Sequence, residues 1–324
     1  MLLSLGLTRL MMHVGIVDVP NERSSHVVST PKSGGVAIIF PLLFFLVFAE
    51  VFMAPVFSRE MILMLALSGL LAGIGLLDDL FHLSYKPRLL VQLIVALTMV
   101  ASGFSIDHIP LPGVSEIPLG FMGSVITVFW VVGFINAFNF MDGLNGLASG
   151  GALVVSLLIL YFMPIMNPMY FLFLGLIFSL FGYMRYNFFK GRIFMSDVGS
   201  QFLGGLFALA TLMVEPMSVG LFRYYIIPLF FLPFIFDATL TFCLRLSQGK
   251  NVFQPHKEFL FHRLQAFGFT HAQVSILYMI LIGMQGCFVY FFLIRPSFEK
   301  LLINFLFYGM LALLVYKKCK AAKG

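Results

Sequence analysis

The sequence predicts an all-α, polytopic bundle of membrane-spanning helices, and three observations carry that prediction. Hydrophobic residues make up 60% of the 324 and charged residues 10%, against about 25% charged in a typical soluble domain. Apolar runs near the roughly 20-residue length of a bilayer-crossing helix recur from one end of the chain to the other. The runs lack the alternation of an outer-membrane barrel. That leaves helices, which satisfy their own backbone within the hydrocarbon.

Polar breaks divide the chain into about eleven spans, near 1–15, 35–57, 61–77, 89–104, 119–135, 147–163, 169–184, 200–214, 223–242, 273–293 and 300–316. The first is short, is interrupted by Arg9 and carries no small-residue cleavage site of the signal-peptide kind. Pro and Gly between Ser105 and Pro118 predict a turn or small hairpin. Cys243, Cys287 and Cys319 have no paired spacing, which argues against a disulfide framework or a zinc site. No internal repeat, low-complexity segment or domain-dividing linker is evident, so residues 1–324 read as a single membrane domain.

Orientation follows from charge. Alternate loops and the tail hold fifteen of the twenty Lys and Arg, among them Arg23, Lys32, Lys86, Arg88, Arg185, Arg192, Arg245 and Arg263. The positive-inside rule places this side in the cytoplasm, with the amino terminus outside and the carboxy terminus inside. The net charge of +6 is scattered between spans and is no nucleic-acid signal.

Five polar clusters lie on the cytoplasmic side. In the second, Asp78 and Asp79 end an apolar helix, the end that disfavours anions by about 0.3–1 kcal/mol each. Their mutual repulsion adds a second penalty. A compensating cation is needed, whether Lys86, Arg88 or a divalent metal, unless the pair merely marks a solvated boundary. In the third, Asn136, Asn139, Asp142 and Asn145 recur every third residue where Gly143 and Gly146 end the helix. Four such groups suit a nucleotide or a metal; helix capping needs only one or two. In the fourth, Ser196 or Asp197 opens the next helix as its N-cap, or Asp197 holds Mg²⁺.

The last inner loop carries His256, Lys257, His262 and Arg263, a basic phosphate site interleaved with Phe259, Leu260 and Phe261 that could lie in the membrane interface. The first cluster, Asp18 to His26 followed by Thr30 to Gly35, is again basic. Asp237 stands within the ninth span, where an acid faces the bundle interior or a cavity, or pairs with Arg245 or a helix hydroxyl.

Together the segments DVPNERSSH…TPKSGG, GLLDDLFHLSYKPR, NAFNFMDGLNGLASG, GRIFMSDVGSQFLGG and PHKEFLFHRL resemble the polyprenyl-phosphate N-acetylhexosamine-1-phosphate transferase family. That family initiates O-antigen, teichoic-acid and peptidoglycan synthesis. The resemblance runs in the family's order over roughly residues 15–265. It implies an Mg²⁺-dependent enzyme, with Mn²⁺ as an alternative ion. Its substrates would be a UDP-N-acetyl sugar and polyprenyl (undecaprenyl) phosphate, and it would work at the cytoplasmic face of a bacterial inner membrane. By that resemblance Asp78, Asp79 and Asp142 are catalytic and Asp197 binds the metal. Arg23, His26, Lys86, Asn139, Asn187, His256, His262 and Arg263 bind substrate.

Two departures stand out. Phe259 and Phe261 replace members of a histidine run, and Asn145 replaces a second Asp. The pattern around His262 looks nearer to the branch that uses fucosamine or quinovosamine derivatives in lipopolysaccharide synthesis. A homodimer and a two-step route through an aspartyl intermediate both stay open. The competing class is a secondary transporter with intramembrane acidic ion sites, although such folds are built from repeated halves.

Overall fold

The computed structural model describes residues 1–14, 16–18, 29–109, 117–165, 167–213, 223–252, 254 and 256–321. Among them are thirteen α-helices: α1 (Leu2–Met11), α2 (Val36–Phe52), α3 (Arg59–Phe81), α4 (Tyr85–Ala101), α5 (Phe121–Phe140), α6 (Leu147–Phe162), α7 (Pro168–Asn187), α8 (Ser196–Met213), α9 (Arg223–Phe230), α10 (Leu232–Ser247), α11 (Leu260–Ala266), α12 (His271–Ile294) and α13 (Phe298–Ala321). Two short antiparallel ladders complete them. β1 (Val17–Asp18) pairs with β2 (Thr30–Pro31), and β3 (His108–Ile109) with β4 (Ile117–Pro118). The second ladder is the hairpin that the Pro and Gly content of 105–118 predicts.

Each expected span corresponds to a helix, with one break. The ninth divides into α9 and α10, bent by 76° with Phe231 between them. Among the described residues five helices are individually long and apolar enough to cross a membrane, or six if the bent pair is one span; α1, α2 and α6 are shorter apolar helices. The short first helix belongs to the bundle, because Ser4 Oγ donates to Ala37 O at 2.8 Å and Ser179 O at 2.6 Å, tying α1 to α2 and α7.

Local chemistry sets the ends. Ser58 caps α3 by accepting the Met61 amide, and Asn167 caps α7 by accepting that of Met169. Thr270 and Gln273 form a full capping box at α12. α3 stops at His82, which takes the left-handed conformation at φ 51°.

Helix α8 sits at the centre, buried along Val198–Met213. Two glycine contacts bring backbone against backbone there. A Cβ on Gly35 would lie 2.3 Å from the Gly199 Cα, and one on Gly75 would lie 2.4 Å from the Asp197 carbonyl oxygen. Small residues at such crossings let spans approach more closely than any side chain allows. The amino-terminal end of α8 is thereby pressed between the start of α2 and the last turns of α3. Deeper in, Phe134, Phe138, Phe207, Phe231 and Phe234 form an interlocked ring cluster that joins α5, α8 and α10.

Candidate active site

Successive residues on a helix point about 100° apart, so Asp78 and Asp79 face different neighbours. Asp79 is 6% exposed. Its Oδ2 accepts the Ser33 hydroxyl at 3.0 Å and the Val198 amide at 3.5 Å, and its Oδ1 accepts the Asp197 amide at 3.3 Å. This carboxylate therefore closes the amino-terminal end of α8 from across the bundle. The expected local cap by Ser196 or Asp197 is not what forms, because Ser196 enters the helix in a left-handed conformation at φ 59°. Ser33 is also left-handed, at φ 65°, and its amide donates to Ser196 Oγ at 3.3 Å. Two strained serines facing each other, at about 1–3 kcal/mol apiece, mark a segment over-determined by its surroundings.

Asp78 turns instead to Arg88. The guanidinium Nη1 lies 3.1 Å from Asp78 Oδ2 and also contacts the Asp197 carboxylate. Of the compensating cations the sequence allows, Arg88 is the one in place, while Lys86 is exposed on the first turn of α4. A solvated boundary is excluded for Asp79 by its burial and for Asp78 by its partner.

Asp197 is held from several sides. Asn139 Nδ2 donates to its Oδ1 at 2.8 Å and to Ser200 Oγ at 2.7 Å. Burial works to raise the Asp197 pKa, but a hydrogen bond shared with Asp78, the Arg88 charge and the Asn139 amide outweigh it, holding the carboxyl below its ordinary value. Behind it a polar ladder descends between α4, α5 and α8: Asn136 Nδ2 donates to Gln92 Oε1 at 2.7 Å, and Gln92 Nε2 to Gln201 Oε1 at 3.0 Å.

The Asn-rich segment ends in a 3₁₀ turn, Met141–Gly143, as its glycines predict. Its four regular polar residues do not share a face. Asn136 and Asn139 join α4 and α8. Half-buried Asp142 faces the Ser196 amide and the carboxylates of Asp197 and Asp79. The Asn145 amide donates to His271 Nδ1 at 3.4 Å, and its carbonyl accepts Ser275 Oγ at 2.8 Å.

The histidine loop reaches the same place. A Cβ on Gly143, next to Asp142, would lie 2.9 Å from the Phe261 ring and 3.5 Å from His262 Nε2. Leu260 and Phe261 are buried, so this loop enters the bundle, and the expectation of a surface-lying segment is corrected. Burial lowers the His262 pKa to about 4, aided by His256, Lys257 and His271, so the imidazole is neutral at pH 7. Burial and the Arg245 charge lower His256 as well.

The remaining expected residues divide. Arg263 Nε donates to the Glu258 carbonyl at 3.0 Å, and its guanidinium stacks 4.0 Å over the Tyr316 ring. Asn187, 4% exposed, uses both polar ends inside the fold, its Oδ1 accepting the Gly146 amide at 2.7 Å and its Nδ2 donating to Ile193 O at 2.8 Å. Its place is the scaffold beneath the site. Arg23 and His26 lie outside the described residues. Ser33 and His271 were missed by sequence reasoning. Neither carries a local signal, because their partners lie 46 and 126 positions away.

The donor set suits a hard divalent ion. Mg²⁺ takes one or two carboxylates and completes its shell with water and phosphate oxygens. Asp78 and Asp197 already share one cationic partner in Arg88. Among the described residues no three acidic, His or Cys groups come together as a protein cage for a metal ion. The acids of the site gather at one end of the bundle. Asp237, in α10, accepts the backbone amides of Leu260 and Phe261.

Residues 61–215 match the model of glycosyl transferase family 4. The chain is 34% identical over 281 residues to a probable undecaprenyl-phosphate N-acetylglucosaminyl 1-phosphate transferase of Bacillus subtilis, covering 85% of this chain and 76% of the relative. It is 31% identical to a decaprenyl-phosphate N-acetylglucosaminephosphotransferase of Mycobacterium leprae, covering 82% and 74%. It is also 31% identical to an undecaprenyl-phosphate alpha-N-acetylglucosaminyl 1-phosphate transferase of Yersinia pestis, covering 91% and 84%.

Proposed function

We propose, from the premise that this chain belongs to glycosyl transferase family 4, that it transfers the N-acetylhexosamine 1-phosphate moiety of a UDP-N-acetylhexosamine to a polyprenyl phosphate and releases UMP. The product would initiate lipid-linked surface glycan synthesis at the cytoplasmic face of a bacterial inner membrane. One observation above all supports this reading. The carboxylates of Asp78 and Asp197, from α3 and α8, converge on a single cation position beside the amide of Asn139.

In the reaction, an oxygen of the acceptor phosphate attacks the β-phosphorus of the donor. The bond to the bridging oxygen breaks, and UMP departs with that electron pair. Mg²⁺, held by Asp197 with Asp78 as second oxygen donor, would neutralise the diphosphate and the leaving group when bound. A phosphate monoester has a second pKa of about 6, so the acceptor is largely dianionic at pH 7. Orientation therefore matters more than proton removal, as in phosphoryl transfer generally. Asp78, the more exposed member of the acidic pair, orients the acceptor, and Asp142 on the 3₁₀ turn places the donor. Neutral His262 offers a hydrogen bond next to Asp142, and Asp79 keeps α8 in register from behind.

Purified enzyme would be assayed for UMP release from UDP-N-acetylglucosamine and from the fucosamine and quinovosamine analogues, with and without undecaprenyl phosphate. UMP release that requires the lipid phosphate is the expected result. No release across the whole panel would sink the assignment.

A further inference from the structure

We propose that Asp237 is a positioning residue that seats His262 at the active site; the proposal rests on the reading of His262 as a substrate-contacting group. Asp237 is fully buried in α10 and plays no part in the reaction described above. Its Oδ1 accepts the Leu260 amide at 2.7 Å and the Thr241 hydroxyl at 3.4 Å. Its Oδ2 accepts the Tyr278 hydroxyl at 2.6 Å and the Phe261 amide at 3.3 Å. Four donors therefore meet a group that can only accept. Two of them are the first two amides of α11, which have no partner within their own helix.

His262 is the next residue. Its Nδ1 is buried with no hydrogen-bond partner, so no side-chain tie of that kind orients the ring. What fixes it is the ring face of Phe261, with centroids 4.1 Å apart, and the backbone that Asp237 holds. The same two residues abut Gly143, beside Asp142. A buried acid in α10 thus sets how a histidine meets the 3₁₀ turn of α5, with Tyr278 supplying a brace from α12.

Both oxygens of Asp237 receive two donors, so neither rotamer of an asparagine satisfies all four. D237N turns one amide hydrogen-bond donor toward another donor and releases the start of α11. The test is a double-mutant cycle of D237N and H262A, reading kcat/KM for lipid-dependent UMP release, with thermal melting in detergent confirming folded protein. D237N is expected to lower kcat/KM roughly tenfold in the wild-type background, the size of coupling found within one hydrogen-bonded network. In the H262A background most of that loss should vanish. The same factor in both backgrounds would mean a general structural effect and would overturn the proposal. An H262A enzyme as active as wild type would instead remove His262 from the site, and the role of Asp237 with it. If D237N does not fold, Y278F withdraws only one of the four donors. It should give a smaller loss that again disappears with H262A, and an equal loss in both backgrounds overturns the proposal here too.

Discussion

The carboxylate of Asp79 closes the amino-terminal end of α8, accepting the backbone amide of Asp197 at 3.3 Å. Two adjacent acids thus have separate tasks. D79A should cost about 1–2 kcal/mol of stability, the scale of a lost helix cap, and should lower activity by displacing Asp197. D78N should leave the melting temperature close to wild type while abolishing turnover. Melting curves alongside UMP-release rates separate the two. Equal destabilisation by both changes would contradict the division.

Arg88 bridges Asp78 and Asp197. R88Q leaves these two carboxylates facing each other without a cation, at a cost of about 1–3 kcal/mol for lost charge-assisted bonds. Millimolar Mg²⁺ or Mn²⁺ should restore part of that loss. The expected observation is a larger divalent-ion increment in melting temperature for R88Q than for wild type. An identical increment would argue against a shared cation position.

His262 gives a pH dependence with a definite sign. Its folded pKa is lowered to about 4 from the ordinary value of 6.5. Between these values the unfolded chain binds the proton and the folded chain does not, so stability rises with pH. The contribution is complete above about pH 6.5 and is lost as pH falls toward 4. H262Q should flatten the slope of melting temperature against pH in that window. An unchanged slope would mean that the imidazole titrates normally.

Gly75 provides a steric test with controls on the same helix. Its Cβ would meet the Asp197 carbonyl at 2.4 Å, whereas Gly69 and Gly73 have nothing within 4 Å. G75A should push α8 away and reduce activity at least tenfold, with about 1–3 kcal/mol of overpacking cost. G69A and G73A should be neutral, or stabilising by about 0.5–1 kcal/mol, because alanine loses less entropy in a helix. Similar behaviour of all three variants would count against the close crossing.

Much of this was legible in the sequence. Apolar runs and their polar breaks locate every described span, because bilayer length imposes itself directly on the chain. The acids Asp78, Asp79, Asp142 and Asp197 stand out because charge at a membrane helix end has few bland explanations. What the sequence hides is direction. Asp78 and Asp79 are neighbours in the chain, and only packing of α3 on α8 decides that one caps a helix and the other meets Arg88. Asn187 carries the right chemistry for a ligand, yet Gly146 and Ile193 take both its ends. That the apolar residues of the histidine loop enter the bundle is not legible in the sequence, because their tether, Asp237, lies 23 residues before Leu260. The break between α9 and α10 carries no helix-stopping signal stronger than Pro228 and Pro233.

The central position of α8 has a consequence for how the protein is made. Buried from Val198 to Met213, it places Ser200 and Gln201 among other helices and is absent from those apolar enough to cross on their own. A segment with such a polar start partitions weakly into lipid by itself. Its polar start finds in α3, α4 and α5 the partners that hydrocarbon lacks: Asp79 from α3, Gln92 from α4 and Asn139 from α5. The amino-terminal end of α8 is therefore expected to settle only where α3, α4 and α5 already surround it, so the acids of the candidate site come together as a late product of helix association.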